Sequence, residues 1–307
     1  MMELAETADI SAAATAAPIP DLTAKPSWRS AKSTIMTGLM VASVLAVALP
    51  LIAVVWAVLA RGFAVAFKSF PDFFIQEIPT VARRAGPGMG PAILGTLLVT
   101  GAATLIAVPL GVLGAVYLHE YGLNNRFSKL VRFMSTVMSG VPSIVMGLFI
   151  YVLWTLRFGY SAFGGSLALS CLMLPVVIGS TEQMLKLVPH HLREAAYALG
   201  VSKSRTILTV VLPAALPGIV SGSLLAVARA AGETAPLLFA VGAANEYNPH
   251  LFEQANTALS IQIFGNATSS FVAAQDRAWG AALTLVLLTF VITLVARVFT
   301  AHIASRR

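Results

Sequence analysis

Charged residues are scarce in this sequence. They make up 11% of its 307 residues, whereas hydrophobic residues make up 57%. So little polar surface cannot cover a water-soluble globule, and the composition therefore predicts a polytopic membrane protein. The formal charge is +7, but no basic cluster is interleaved with aromatic residues. Because Lys and Arg between membrane spans are explained by the positive-inside rule, we expect membrane lipid as a partner and no nucleic acid.

Cysteine and the common catalytic motifs are almost absent as well. The single cysteine, Cys171, lies in an apolar run and can form neither an intrachain disulfide nor a cysteine-based metal site. His190 and His191 are adjacent and so point apart on a helix, whereas a metal site favours histidines four residues apart. His119-Glu120 lacks the second histidine of a zinc protease motif. No G-x-x-x-x-G-K-[ST] motif occurs, so the chain alone cannot cradle nucleotide phosphates. We expect no metal, no cofactor and no enzymatic activity in this chain.

Long apolar runs predict the fold. About 20 apolar residues suffice to cross the hydrocarbon core as a helix, and runs of that length recur along the chain. The run 206–244 is interrupted only by Arg229 and Glu233, and its prolines predict a turn at Pro213 and Pro217, then one spanning helix with a broken end. We therefore predict an all-α polytopic bundle of six transmembrane helices. The predicted spans are 35–60, 91–118, 133–156, 158–181, 206–244 and 278–296.

The N-terminal segment differs in composition from the rest. Residues 1–33 are rich in Ala, Thr, Ser and Pro without an apolar period, which predicts a disordered cytoplasmic tail before a transmembrane domain at 34–307. The first apolar run comes too late and is too long for a cleaved signal peptide. Most Lys and Arg residues fall in segments that are cytoplasmic if the N-terminus is cytoplasmic. This bias predicts a multi-pass protein of the cell membrane with both termini on the cytoplasmic side.

One charged stretch stands between two apolar runs. Residues 193–218 read REAAYALGVSKSRTILTVVLPAALPG. Gly200 predicts a bend between two short helices, because glycine costs about 1 kcal/mol inside a helix and is favoured just past its end. Leu212-Pro213 is expected to end the second helix at the membrane boundary. The stretch is either an amphipathic loop on the bilayer or a surface where the small residues after Glu194 let another protein approach closely.

The spacing of this stretch resembles the EAA loop of ABC importer permeases. That pattern is EAA, three residues, Gly, nine residues, Ile, one residue and Leu-Pro, and only Val210 departs from it, in place of Ile. The matching residues are Glu194, Ala195, Ala196, Gly200, Leu212 and Pro213. The resemblance implies a MetI-like permease whose coupling loop, about residues 182–213, carries a helix that docks in a groove of a separate ATPase subunit. It also implies that Glu194 and Gly200 shape the joint.

Three further segments resemble the phosphate-specific permeases of this class. They are GAVYLHEYG at 114–122, SGVPSIVMGLFIY at 139–151 and ARAAGETAPLLFAVG at 228–242, and the last is closer to the A-type subunit than to its C-type partner. The resemblance covers roughly residues 90–300 and implies half of a pathway for inorganic phosphate. It further implies a homologous second permease chain, two cytoplasmic ATP-binding subunits and an extracytoplasmic phosphate-binding protein.

Two charges lie inside an apolar stretch. Arg229 and Glu233 are four residues apart on one helical face, and a charge near the bilayer centre costs about 2.5 to 3.5 kcal/mol on insertion scales, so neither should face lipid. Either they form an internal ion pair that only fixes packing, or Arg229 donates to a passing oxyanion while Glu233 holds it. Thr234 and Ser143 are further candidates for the pathway, although a Pro142-Ser143 kink can also serve packing alone.

Alternative functions stay open at this level. A permease for another oxyanion, such as molybdate or sulfate, fits the same chemistry, but the run from Gly232 to Pro236 weighs against it. A secondary anion transporter would need no coupling loop. An intramembrane protease would have Ser221 or Ser223 as a nucleophile, yet no predicted span contains an internal histidine to act as the base.

The predicted topology can be tested with fusions. A reporter fused after Gly200 should lie in the cytoplasm, because this loop falls between the fourth and fifth predicted spans of a chain whose N-terminus is inside. A fusion after Glu77, in a predicted outer loop, should be external and serves as the control. Accessibility of each reporter in intact cells measures the outcome, and an external reporter at Gly200 would contradict the topology.

Overall fold

A computed structural model describes residues 28–83, 86, 88–122 and 125–305, and the regular elements in these residues are all helical. They are α1 (Trp28–Lys68), α2 (Asp72–Ile75), α3 (Gly90–Val116), α4 (Arg126–Gly140), α5 (Ser143–Ile150), α6 (Leu156–Phe158), α7 (Ala162–Leu187), α8 (His190–Ala198), α9 (Lys203–Thr206), α10 (Leu212–Ala231), α11 (Ala235–Ala240), α12 (Leu259–Ala267) and α13 (Val272–Ser305). Widened π-helical turns continue α3 at Tyr117–Tyr121, join α5 to α6 at Tyr151–Thr155 and join α9 to α10 at Ile207–Val211.

Membrane-spanning helices dominate the described residues. Five helices there are long and apolar enough to cross a membrane, and there are up to six if the bent pair Arg126–Gly140 and Ser143–Phe158 counts as one span. The five are Ala31–Lys68, Gly90–Tyr121, Ala162–Leu187, Lys203–Ala231 and Val272–Val298. The predicted all-α membrane bundle is therefore confirmed, with six spans when the bent pair is included.

The chain divides into two units between Val55 and Trp56. The first unit contains the N-terminal part of α1, and the second contains all the other helices. Helix α1 begins at Trp28, so residues 28–33 of the predicted tail are helical, because no proline or glycine separates Trp28 from the apolar run. The remainder of the predicted tail, residues 1–27, lies outside the described residues.

Close packing between α3 and α7 forms the centre of the second unit. The hydroxyl of Ser166 donates to the Val99 carbonyl at 3.1 Å, and that of Ser170 donates to the Ala103 carbonyl at 3.3 Å. Small and hydroxyl residues let two backbones approach closely, which is how helices associate in lipid, where burial of apolar surface gives little driving force. Helix α10 packs on the same core through the small residues Ala226, Val227 and Ala230. 

A short helix, α12, lies in the segment that the sequence predicts as an outer loop. The Leu259 N–H at its start donates to the Thr96 hydroxyl of α3 at 2.8 Å. On its buried side, the Gln262 amide donates to the Thr257 hydroxyl at 3.0 Å, and the Asn266 amide donates to the Gln262 side chain at 3.0 Å. Helix α12 escaped prediction because its 9 residues are too few for a span and include these polar side chains.

The predicted span 133–156 is not one continuous helix, because the chain bends by 107° between Arg126–Gly140 and Ser143–Phe158. Val141 and Pro142 are extended at the bend, with ψ angles of 129° and 136°. A residue before proline is pushed out of helical geometry, and proline has no N–H to continue the ladder. The bend that Pro142-Ser143 suggested is thus present, and it divides the span into two helices.

The predicted stop at Leu212-Pro213 and the predicted turn at Pro213 and Pro217 are wrong. One helical segment runs from Lys203 to Ala231 through both prolines. The π-helical turn Ile207–Val211 ends two residues before Pro213. Such a turn shifts the hydrogen-bond register, which lets the helix continue past a missing N–H. The broken far end is confirmed, because α10 ends at Ala231 and α11 begins at Ala235.

Two glycines of α3 give a matched test of the packing. A Cβ at Gly111 would lie 2.7 Å from Cγ1 of Val177 in α7, whereas a Cβ at Gly114 would meet Ile178 at an ordinary 3.8 Å. Gly111→Ala should therefore lower the free energy of unfolding by about 1 to 3 kcal/mol. Gly114→Ala should cause no loss, since alanine favours the helix. Thermal unfolding in detergent measures both, and equal stability of the two variants would contradict the packing.

Candidate functional site

A cavity of about 250 Å³ opens beside the bend between α4 and α5. It is lined by the last turn of α4 and the start of α5 on one side, and by α7, the last turn of α10 and Glu233 on the other. The lining residues are Met138, Ser139, Val141, Pro142, Ser143, Leu172, Met173, Pro175, Val176, Ala226, Arg229, Ala230 and Glu233. Three of the four predicted pathway residues, Ser143, Arg229 and Glu233, thus share one cavity.

Arg229 and Glu233 form an ion pair at the wall of this cavity. The Nε of Arg229 lies 3.6 Å from Oε1 of Glu233, which is longer than a hydrogen bond. The side chain of Arg229 is 72% exposed and that of Glu233 is 21% exposed. Among the described residues no hydrogen bond engages the Arg229 guanidinium, so its N–H donors are available to another group.

The backbone at Glu233 is fixed from two sides. Its N–H donates to the Ala230 carbonyl at 3.1 Å, which closes the end of α10. Its carbonyl accepts from the hydroxyl of Ser260 in α12 at 2.9 Å. The carboxylate that holds Arg229 therefore stands on a backbone segment that cannot move independently of α10 and α12.

Ser143 is the first residue of α5, whose start forms part of the cavity wall. The N-terminus of a helix carries partial positive charge and unpaired N–H groups, which favour an anion. Helix α5 is held in place by contact with α11, where a Cβ at Gly147 would lie 2.6 Å from Cα of Pro236. Only glycine permits this approach, so Gly147 sets how closely α5 packs against α11.

Thr234 follows Glu233 in the chain but is not among the residues that line the cavity. It precedes α11, and its carbonyl accepts from the Leu237 and Leu238 N–H groups at 3.2 Å each. The structure thus gives Thr234 a place at the start of a helix, and a role for its side chain in the pathway stays a prediction.

The EAA-like stretch folds as a helix, a glycine bend and a second helix. Helix α8 ends in a hydrogen-bonded cap in which the Gly200 N–H donates to the Tyr197 carbonyl at 2.9 Å and the Val201 N–H donates to the Ala196 carbonyl at 3.1 Å. Gly200 has a φ of +75°, which is strained for any residue with a side chain. The predicted bend at Gly200 is therefore confirmed, and Lys203 begins the next helix.

The six residues of the EAA pattern do not share one surface. Glu194, Ala195 and Gly200 are exposed, whereas Ala196 is buried at 7% exposure. Leu212 and Pro213 lie farther along, on the wall of a separate apolar cavity of about 430 Å³ between α3 and α10. Two large apolar side chains nearby are also exposed, Tyr197 in α8 at 43% and Leu199 just past the end of α8 at 83%.

Arg193, just before the EAA pattern, is an anchoring residue that the sequence pattern did not reveal. It is buried, and its guanidinium donates to the Val188 carbonyl at 2.7 Å, the Leu185 carbonyl at 3.1 Å and Oε1 of Glu120 at 3.0 Å. Arg193 thus ties α8 to the ends of α7 and α3. The only sequence signal was Glu120, a carboxylate at the end of an apolar run. Because Glu120 and Arg193 are 73 residues apart in the chain, their pairing left no local pattern.

The chain resembles a family of known proteins over about two thirds of its length. Residues 107–307 match the family described as "Binding-protein-dependent transport system inner membrane component". The "Phosphate transport system permease protein PstA 1" of Mycobacterium tuberculosis is 43% identical over 282 residues, which are 91% of each chain. The corresponding PstA protein of Haemophilus influenzae is 36% identical over 280 residues, 90% of this chain and 96% of that protein.

A solved structure resembles the fold. It is described as "Inward facing conformations of the MetNI methionine ABC transporter", with a TM-score of 0.55 and 16% identity over 70% of this chain and 94% of that chain. At this identity the match supports the fold alone.

The Arg193–Glu120 pair gives a test of how α8 is held. Removing one partner of a buried ion pair leaves an uncompensated charge and costs about 3 to 5 kcal/mol. We expect Arg193→Gln to lower the free energy of unfolding by that amount and to make residues 188–203 more susceptible to limited proteolysis. Arg205→Gln, which changes an exposed side chain in α9, should leave both unchanged. Proteolysis at the wild-type rate in Arg193→Gln would contradict the anchoring role.

Proposed function

Because the chain belongs to the family of binding-protein-dependent transport system inner membrane components, we propose that it is the permease subunit of an ATP-driven importer for inorganic phosphate. ATP is hydrolysed in separate cytoplasmic subunits, and this chain provides part of the pathway and the surface that receives force. The chain itself is a transport subunit and not an enzyme.

The cavity that joins Arg229, Glu233 and the start of α5 carries the proposal. Its volume of about 250 Å³ is several times the roughly 30 Å³ that one water occupies in the liquid, so an oxyanion with some of its water fits. A guanidinium and a helix N-terminus both favour a tetrahedral anion. Glu233 limits how tightly an anion binds, which suits a residue that must also release it.

The exposure of Arg229 favours a pathway role over a packing role. An ion pair that fixes helix packing would be enclosed between helices, whereas the Arg229 side chain is 72% exposed. An exposed pair at 3.6 Å contributes little to stability. Since a charge in the membrane should not face lipid, we propose that a homologous second permease chain covers Arg229 and completes the pathway.

The exposed face of α8 supports the coupling role. Glu194 and Tyr197 give α8 an exposed surface of mixed polarity, exposed Leu199 follows just past its end, and buried Arg193 anchors the helix to the rest of the chain. We propose that this face docks in a groove of an ATP-binding subunit, one of two on the cytoplasmic side, and that both termini of the chain are cytoplasmic. A phosphate-binding protein delivers the anion from the opposite side, and ATP-driven closure of the ATPases alternates access to the cavity.

The main alternative is another oxyanion of similar shape. Arginine hydrogen-bonds sulfate and molybdate much as it does phosphate, so the cavity alone does not select among them. The names of the two relatives, both phosphate permeases, favour phosphate. The decisive experiment is ATP-dependent uptake of labelled phosphate by the complete importer in liposomes, with excess unlabelled sulfate or molybdate as competitor. Phosphate uptake that resists both competitors supports the proposal, and uptake of only the competitor anion overturns it.

Arg229 gives the sharpest variant. We expect Arg229→Gln to abolish phosphate uptake because the cationic donor is lost, while co-purification with the ATP-binding subunits stays at the wild-type level. Arg229→Lys should retain part of the uptake, since lysine keeps the charge but not the fork of donors. Arg157→Gln, which removes an exposed arginine outside the cavity, is the matched control. Normal uptake in Arg229→Gln would disprove the pathway role.

A further inference from the structure

Cations from three separate helices reach the π-helical turn Tyr117–Tyr121, here termed the relay turn. Arg132 of α4 donates to the Leu118 carbonyl at 3.0 Å, and Arg193 of α8 donates to the Glu120 carboxylate at 3.0 Å. Lys203, the first residue of α9, donates from Nζ to the Glu120 carbonyl. Helices α8 and α9 flank the EAA-like bend, and α4 leads to the cavity. All three therefore meet at the relay turn.

The chemistry of the relay turn explains why cations collect there. It is the last turn of the helical segment that begins with α3, and the final carbonyls of a helix lack intrahelical partners and carry partial negative charge. The Glu120 carboxylate adds a full negative charge in a buried position, at 7% exposure. The Arg193–Glu120 hydrogen bond joins two charged groups, which makes it stronger than a neutral one, and burial of both side chains protects it from screening by salt.

Helix α4 connects the relay turn to the cavity. Arg132 lies in the first half of α4, and Met138 and Ser139, in its last turn, line the cavity just before the bend at Pro142. The distance along the helix from Arg132 to Gly140 is about 12 Å at 1.5 Å per residue. A helix of this length moves as one body, so a displacement at Arg132 reaches the cavity wall.

We propose that the relay turn transmits movement of α8 to the cavity wall, with Glu120 and Arg132 as positioning residues. When the docked ATPases displace α8, Arg193 and Lys203 pull on the turn, and Arg132 passes the displacement to α4. This inference rests on the proposed import function. It goes beyond that function by naming the route through which ATP hydrolysis changes the shape of the cavity.

The ratio of phosphate imported to ATP hydrolysed tests the route, because a contact that only stabilises the fold would lower uptake and hydrolysis together. Both rates are measured in the same liposomes with the complete importer. Arg132→Gln should lower the ratio about fivefold or more, the lower end of the range for coupling between two sites, while ATP hydrolysis continues. Arg132→Lys should restore most of the ratio, because its ammonium can still donate to the Leu118 carbonyl.

Lys186→Gln is the matched control. Lys186 and Arg132 both pair with Glu182, at 3.6 Å and 2.7 Å, but among the described residues Lys186 makes no hydrogen bond to the relay turn. The control should keep the wild-type ratio. An unchanged ratio in Arg132→Gln, or a parallel fall of uptake and hydrolysis, overturns the relay.

A second variant keeps the test decisive if Arg132→Gln does not assemble. Glu120→Gln preserves the size of the side chain and an acceptor for Arg193 but removes the charge, and it should lower the ratio in the same way. An unchanged ratio in an assembled Glu120→Gln importer overturns the proposal. If the wild-type importer hydrolyses ATP without moving phosphate, that result rejects the proposed function instead. The ratio is then measured with the oxyanion that the wild type does move.

Discussion

The requirement that every backbone polar group in the hydrocarbon find a partner inside the protein constrains the rest of this structure. Regular helix satisfies it, and in the described part of the chain five helices do so over membrane-crossing lengths. Departures from regular helix are then possible only where protein or a cavity covers the backbone. The 107° bend after α4 and the broken end of α10 both border the cavity that contains Arg229. Where the chain gives up helical hydrogen bonds, it forms the cavity of the proposed anion pathway.

Local sequence signals predicted most of the helices but not how proline would act in each. Pro142 breaks a helix, whereas Pro213 and Pro217 are absorbed by one. The difference is the π-helical turn Ile207–Val211, which adjusts the hydrogen-bond register before Pro213, and nothing in the composition of that stretch distinguishes it. Gly200 was predictable because a positive φ is an intrinsic demand of the helix cap, independent of any tertiary contact. Helix α12 was not, since its stability depends on Thr96 and on buried amide contacts.

The candidate site shows the same division between local and distant information. Arg229 and Glu233 are paired by their spacing in the chain, and the sequence was sufficient to identify them. That Ser143 faces the same cavity depends on the close contact of Gly147 with Pro236, which joins segments distant in sequence. Arg193 and Glu120 stood within two stretches that had been singled out for other reasons, yet their pairing across the fold left no periodicity to detect.

Gly200 bears on how sequence comparisons of such proteins should be interpreted. The space around its Cα is open, and a Cβ there would meet no atom within 4 Å, yet its φ of +75° disfavours every side chain. A surface position can have room for a larger side chain and still exclude one because of its backbone angles. Such a residue can be invariant among relatives without touching anything. In an alignment, invariance at this position would record the conformation of the chain, whereas invariance at Glu194 or Leu199 would record recognition of a partner.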